Sequence, residues 1–259
     1  MKSGTCAQAE DVKELVYRRF GIRVSQSKEG YIREKLVRAA SRRGCASVSE
    51  YLERADAGDQ QGMEELIHIV TTGHTYFFRE SDHFDFIVKE VASRRADGSL
   101  IWCAACSTGE EPYSLAMSLV GGGLVDFRIL ATDLDSEALR RFHQGLYRVE
   151  RLEGMPDGFR RRFFREDGQG FARIDRGLRR FIAIKRLNLM DDFLLESPAD
   201  FVLCRNVLIY FDEATRARAV DRLLANLKSG GFLFLGHVEP LMGEERRLER
   251  VGPSIYRKN

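Results

Sequence analysis

The sequence predicts an α/β protein: a doubly wound parallel sheet that carries a small inserted β-subdomain and follows an all-α N-terminal domain. Three observations carry that expectation. Residues from about Ala7 to Thr71 show helical periodicity with Gly and Ser punctuation and no strand series. After Gly98, short apolar runs alternate with helical stretches, the pattern of a parallel sheet with right-handed crossovers. From Leu146 to Arg180, glycines and arginines interrupt that alternation. The expected partition is 1–75 for the helical domain and 76–259 for the sheet domain, with the insertion at about 146–180.

With 259 residues, 44% hydrophobic and 31% charged, the chain has room for such an arrangement. Lysine plus arginine (41) nearly balances aspartate plus glutamate (39), so any electrostatic argument must be local. The N-terminus lacks the apolar run of a signal peptide and no stretch approaches a membrane span, so a cytoplasmic location is expected. The five cysteines form no disulfide framework. Cys103-x-x-Cys106 has no second pair and reads as small residues packing a strand end and turn. His68, His74, His83, His143 and His237 are dispersed without metal-ligand spacing, and no metal is assigned.

In chain order, Asp11 is placed to cap a first helix carrying Val12, Leu15, Val16 and Phe20 and ending at Gly21. A second, with Tyr31, Leu36 and Val37, ends at Gly44; Ser49 to Leu52 opens a third, and Met63 to Val70 is a fourth. The second helix concentrates Arg33, Lys35, Arg38, Arg42 and Arg43, with Arg33, Arg38 and Arg42 near one face. That face is either simply solvated or a docking surface for an acidic partner. Next comes the dense stretch Thr71-Thr-Gly-His-Thr-Tyr-Phe-Phe-Arg-Glu80, then a helix from His83 to Val91. Phe77, Phe78 and Phe84 are expected to plug the domain junction, and a partly buried Arg79 should face a carboxylate or a substrate.

The sheet begins with Leu100 to Ala104, followed by a turn of small residues and a helix from Glu110 to Val120. A strand from Phe127 to Ala131 leads into Thr132-Asp-Leu-Asp135, then a helix from Ser136 to His143. Within the insertion, Phe163 to Ile174 reads as a short hairpin. Strands follow at Phe181 to Lys185 and Asp200 to Cys204, and Asp212 caps a helix from Glu213 to Leu227. Ser229-Gly-Gly231 is expected to turn before a strand at Phe232 to Leu235, and Ser254 to Arg257 closes the sheet.

Folds of this kind bind ligands at the carboxyl ends of the strands. Gathered there are Ala105 to Glu111, Asp133 in the position of a ribose acid, Asn188-Leu189, and Arg205-Asn206. The set lacks G-x-G-x-x-G, a P-loop lysine and a basic cluster for pyrophosphate, while Glu110 and Glu111 stand where a phosphate would be repelled. A cationic nucleoside without phosphates fits, and S-adenosylmethionine is the obvious one.

At these residues the chain resembles the CheR-type chemoreceptor glutamate O-methyltransferases over nearly its whole length. The motifs are Thr71-Thr72 with Thr75, Phe77, Phe78 and Arg79; Ala105-Cys-Ser-Thr-Gly-Glu-Glu-Pro-Tyr-Ser114; Thr132-Asp-Leu-Asp135; Gly145-Leu-Tyr147; Cys204-Arg-Asn-Val-Leu-Ile-Tyr-Phe211; Gly236-His237 with Glu239; and Ser254-Ile-Tyr256. The resemblance implies a helical domain joined to an S-adenosylmethionine-dependent methyltransferase domain with its β-subdomain. It implies cofactor contacts at Thr75, Arg79, Glu111, Asp133, Asn188, Leu189, Arg205 and Asn206, and at Gly73, where the family usually carries asparagine. Arg79 and Tyr210 match positions handling the incoming glutamate, and Arg33, Arg38 and Arg42 a surface meeting the acidic methylation region of receptor helices. The implied products are glutamate methyl esters and S-adenosylhomocysteine, in chemotaxis adaptation or a chemosensory-like pathway. Gly73 and Val238 depart from the family pattern and motivate a second reading, a non-catalytic protein that binds the cofactor or docks on receptors.

Overall fold

A computed structural model describes residues 4–71, 73–93, 98–239, 241 and 247–259, with first-helix side chains described from Val12 onward. Thr72 and Pro240 lie outside the described residues.

Helices α1 (Gly4–Phe20), α2 (Glu29–Arg42), α3 (Val48–Asp56) and α4 (Gln60–Val70) pack around Val16, Leu36, Tyr51 and Leu66. The first starts upstream of Asp11, so that residue lies within the helix and is not its cap. At α3, Ser47 accepts from Glu50 N at 3.1 Å while Glu50 Oε2 accepts from Ala46 N at 2.6 Å, a reciprocal cap. Asp59 caps α4 by accepting from Gly62 N at 3.0 Å.

The chain continues through α5 (Asp82–Ser93), β1 (Ser99–Ala104), α6 (Glu110–Gly121), β2 (Phe127–Asp133), α7 (Ser136–Gln144), β3 (Leu146–Arg148), α8 (Asp157–Phe163), β4 (Phe164–Glu166) and β5 (Phe171–Ile174). It ends with β6 (Ile182–Arg186), β7 (Ala199–Cys204), α9 (Glu213–Ala225), β8 (Leu227–Leu235), β9 (Leu248–Gly252) and β10 (Ile255–Lys258). The main sheet has seven strands in the order β6-β2-β1-β7-β8-β10-β9. Its first five neighbours pair in parallel, and β10 enters antiparallel between β8 and β9. Strand order reverses at β1, where β2 and β6 extend one way and β7 the other, so the crevice lies beyond the C-terminal ends of β1 and β7.

Burial explains why β1 is central. Ile101, Trp102, Cys103 and Ala104 are all inaccessible, with Ile101 and Cys103 in one core layer and Trp102 and Ala104 in the other. The indole of Trp102 donates to Thr132 Oγ1 at 2.9 Å, which satisfies its polar edge inside the sheet.

Two expectations are corrected at the C-terminal side. Ser229-Gly-Gly231 does not turn; β8 runs through it, with Gly230 at φ +73° and a register shift opposite Ala199/Phe201. A Cβ on Gly231 would come within 2.9 Å of Asp200 O, so glycine here allows close strand approach. Helix α9 accordingly stops at Ala225, where Asn226 Nδ2 donates back to Arg222 O at 2.8 Å. The sequence reading also missed β9 and α8.

The insertion is a three-stranded antiparallel sheet, order β3-β5-β4. Asp167 Oδ1 accepts from Gln169 N and Phe171 N at 2.8 and 3.1 Å, closing the expected hairpin. The expected aromatic plug is corrected in place: Phe77 packs edge-on against Tyr147 and Phe164 of the insertion and Phe78 against Phe84, so these rings join the β-subdomain to the core of the sheet domain rather than that domain to the helical one.

Candidate active site

Beyond β1 the backbone is left-handed at Ala105 (φ +66°), Ser107 (φ +50°) and Gly109 (φ +92°). For non-glycine residues this conformation costs about 1–2 kcal/mol each, so something must hold it. Asp133 does: its Oδ2 accepts from Ser107 N at 2.7 Å and its Oδ1 from Asp135 N at 2.9 Å. Burial pushes the Asp133 carboxyl up to about 6, with those backbone N–H groups pulling the other way. Each oxygen keeps a lone pair for a ligand hydroxyl. At Gly109 a Cβ would lie 2.1 Å from the Phe142 ring, so only glycine fits the start of α6.

The two glutamates of α6 separate by environment. Glu110 is fully buried, bonded to Arg151 of the insertion and to Thr108 Oγ1 at 2.6 Å. It therefore ties the β-subdomain to the turn. Glu111 faces the cleft with Arg205 Nη1 3.2 Å from its Oε2. Burial raises the Glu111 pKa, and Arg205 opposes that shift.

Arg205 leaves β7 almost fully buried and lies between two carboxylates. Its Nε and Nη2 donate to Glu80 Oε2 at 3.2 and 3.0 Å, its Nη2 also bonds Arg79 O, and the guanidinium stands 5.3 Å from the Phe84 ring centroid. Such a charge is tolerable only when paired and hydrogen-bonded. Asn206 is left-handed (φ +59°), and its N–H donates to Glu239 Oε2 at 2.6 Å. Glu239, buried, also accepts from Gly236 N at 2.9 Å and Ile209 N at 3.1 Å, fixing the loop that carries Tyr210.

The cleft holds about 1330 Å³, part of it open to solvent. Gly73, Thr75, Arg79, Glu111, Asp133, Asn188, Leu189, Arg205, Asn206 and Tyr210 all line it, so every residue predicted to meet cofactor or acceptor converges on one cavity. Arg79 Nη1 donates to His74 O at 3.1 Å, the guanidinium lies 5.6 Å from the Tyr76 ring centroid, and Glu80 is 3.9 Å away. Asn188 spends its side-chain NH₂ on Arg19 O (3.2 Å) and Asp191 Oδ1 (2.9 Å), and its Oδ1 accepts from Met190 N. That leaves mainly its backbone available to a ligand in the cleft.

Arg33, Arg38 and Arg42 lie away from this cavity on the helical domain. Arg38 pairs with Glu34 and Arg42 with Glu65, so part of the basic face is neutralised within the chain.

Three features escaped sequence reading. Glu80 and Glu239 hold the cleft's loops through contacts at large separation, which spacing does not reveal. The helical domain also supplies a wall, with Phe20, Ile22, Arg23, Lys28 and Ile32 facing Tyr210 and the turn. Asp135 joins the two parts, its Oδ2 lying 2.8 Å from His68 Nδ1 and 3.1 Å from Thr71 Oγ1.

These residues fit S-adenosylmethionine. Asp133 offers acceptors for a ribose, Glu111 a carboxylate for an ammonium, Asn188 and Leu189 backbone for a base, and the buried Ser107 Oγ has no hydrogen-bond partner among the described residues. Residues 73–256 match the family model "CheR methyltransferase, SAM binding domain", and residues 7–71 match "CheR methyltransferase, all-alpha domain". The chemotaxis protein methyltransferase of Borreliella burgdorferi is 34% identical, over 95% of this chain and 92% of its own length. That of Escherichia coli is 34% identical over 95% and 88%, and chemotaxis protein methyltransferase 2 of Pseudomonas aeruginosa is 36% identical over 95% and 91%. With the turn, the ribose acid and the Arg205 loop meeting at one crevice and the match running nearly end to end, the chain belongs to the CheR methyltransferase family and uses S-adenosylmethionine as its cofactor.

Proposed function

We propose that the chain transfers methyl groups from S-adenosylmethionine to glutamate side-chain carboxylates of chemoreceptors, giving methyl esters in chemotaxis adaptation or a chemosensory-like pathway. One observation supports this most: acidic and basic side chains share one cleft, where Glu111 and Asp133 line it together with Arg23, Lys28, Arg79 and Tyr210. The acids suit a cation; the basic groups and the phenol suit an acidic acceptor.

Bound cofactor supplies an electrophilic methyl group on a positively charged sulfur. The chain's residues have little proton chemistry to do, because a glutamate with a pKa near 4.3 is already ionised at neutral pH. Arg79 and Tyr210 orient the incoming carboxylate, Glu111 and Asp133 hold the cofactor, and Phe20, Ile22 and Ile32 help exclude water. Charge is annihilated as carboxylate oxygen meets methyl, so a dry cleft lowers the barrier. An arginine gripping the acceptor too tightly would raise it. The 1–75 segment acts in this reading as a docking domain, and the 76–259 segment, with the insertion at about 146–180, as the catalytic one. Arg33, Arg38 and Arg42 meet the acidic methylation region, with Arg38 and Arg42 exchanging exposed internal pairs, worth about 0–1 kcal/mol each, for contacts to the receptor.

Peptide mapping by mass spectrometry after incubation with receptor cytoplasmic fragments tests the proposal. Methylation confined to glutamates supports it; modification of lysine or of the N-terminus alone contradicts it.

A further inference from the structure

His83 and His237, remote in sequence, meet edge to face beside the Arg205 clamp, with ring centroids 5.0 Å apart. One imidazole nitrogen of each and a carboxylate oxygen of Glu80 lie within 4.8 Å of one another. His83 is fully buried, and its Nε2 lies 3.1 Å from Pro253 O, which places the proton on that nitrogen. Its Nδ1 then carries a bare lone pair, and it has no hydrogen-bond partner among the described residues. A buried polar atom left in this way is costly and calls for an explanation. An imidazole oriented by a backbone carbonyl, with the other nitrogen free, is also how metal-bound histidines are held.

Glu80 divides its carboxylate unevenly. Oε2 takes Arg205 at 3.0 and 3.2 Å, whereas Oε1 meets Asn206 Nδ2 and His237 N at 3.4 Å and Arg79 Nε at 3.9 Å. The second oxygen is thus weakly engaged. His237 is exposed, and its Nε2 lies 3.3 Å from the equally exposed Asp82 Oδ2.

We propose that Glu80, His83 and His237 form a site for a divalent transition metal of the zinc class, with Asp82 beside its open position, and that filling it weakens cofactor binding. Two imidazoles and one carboxylate are a zinc-type donor set, whereas magnesium and calcium prefer oxygen alone. Bonds of about 2.0–2.2 Å require the three donors to draw together from their present span. The weak contacts of Glu80 Oε1 and the exposure of His237 leave them able to do so. Movement of Glu80 toward the ion loosens its bonds to Arg205, and the added positive charge repels that guanidinium. Arg205 lines the cofactor cleft against Glu111, so the disturbance reaches the ligand.

The test uses the full chain, tag-free and stripped of metal by a chelator. Zinc is titrated in competition with a chromophoric chelator, and cobalt(II) is added separately. One bound equivalent and the visible bands of four-coordinate cobalt are expected, and His237→Ala should weaken zinc by about tenfold or more and abolish the bands. S-adenosylhomocysteine should bind the zinc-loaded wild type severalfold more weakly than the metal-free form, with no such difference in His237→Ala. Zinc binding by His237→Ala equal to wild type overturns the site, and unchanged nucleoside affinity in the zinc-loaded wild type overturns its coupling to the cleft. His237→Ala is a surface change, so loss of folding does not confound either result, and neither readout depends on methyl transfer.

Discussion

Arg205 Nη1 stands 3.2 Å from Glu111 Oε2, so the acid assigned to the cofactor's ammonium is already paired with a guanidinium before any ligand arrives. Burial raises the Glu111 pKa, and Arg205 opposes that shift. A cofactor ammonium placed there would share Glu111 with Arg205 and oppose the shift further.

Replacing that acid tests the sharing directly. Glu111→Gln keeps the shape but removes the charge, and charged hydrogen bonds are worth about 1.5–3 kcal/mol. Calorimetric titration should show S-adenosylmethionine weakened by about 10- to 100-fold; unaltered affinity would place the ammonium elsewhere.

Arg205 carries stability as well as function. Arg205→Met strands Glu80 and Glu111 inside the protein, and breaking a buried ion pair costs about 3–5 kcal/mol. Urea unfolding should show a loss of that order, partly recovered in Arg205→Met/Glu80→Gln because one stranded charge is removed. A double variant no more stable than the single one would mean the pair is not coupled.

The pH dependence follows from Asp133. Its carboxyl is pushed up to about 6 by burial, and the ionised form is the one that accepts two hydroxyls. As pH falls through about 6 the proton competes with the ligand, so Kd for S-adenosylmethionine should rise, approaching tenfold per unit well below it. The raised pKa of Glu111 acts in the same direction. Asp133→Asn should bind weakly and lose most of this pH dependence; a wild-type Kd constant from pH 8 to pH 5 contradicts the assignment.

The insertion is bound to the cofactor turn through Glu110 and Arg151. Arg151→Ala leaves a fully buried carboxylate without its cation, although Thr108 Oγ1 still donates to it. Because Arg151 is half exposed, a loss of about 2–3 kcal/mol is expected, below the full buried-pair range. Thermal melts should show Arg151→Ala/Glu110→Gln more stable than Arg151→Ala alone.

The legible parts of the sequence were those where one short segment carries its own physics. The strand and turn from Leu100 to Glu111 combine complete burial with small residues, and Asp133 sits at a strand tip by spacing alone. Glu80, Glu239 and the helical wall were illegible because their partners are distant in sequence: Glu80 meets Arg205, and Glu239 meets Asn206 and Ile209. Ser229-Gly-Gly231 misled for a related reason, since glycine marks close strand approach as readily as a turn. The basic face of α2 was half readable: its charges are there, but Glu65, which neutralises Arg42, comes from α4.

The central claim is methyl transfer to a carboxylate, and esters differ from other methylated side chains in their lability to base. Receptor cytoplasmic fragments incubated with the chain and methyl-labelled S-adenosylmethionine should become labelled, and alkali should release the label as volatile methanol, with Arg79→Ala and Tyr210→Phe slowing incorporation. Label that survives alkali, or cofactor binding with no label transferred, would contradict it.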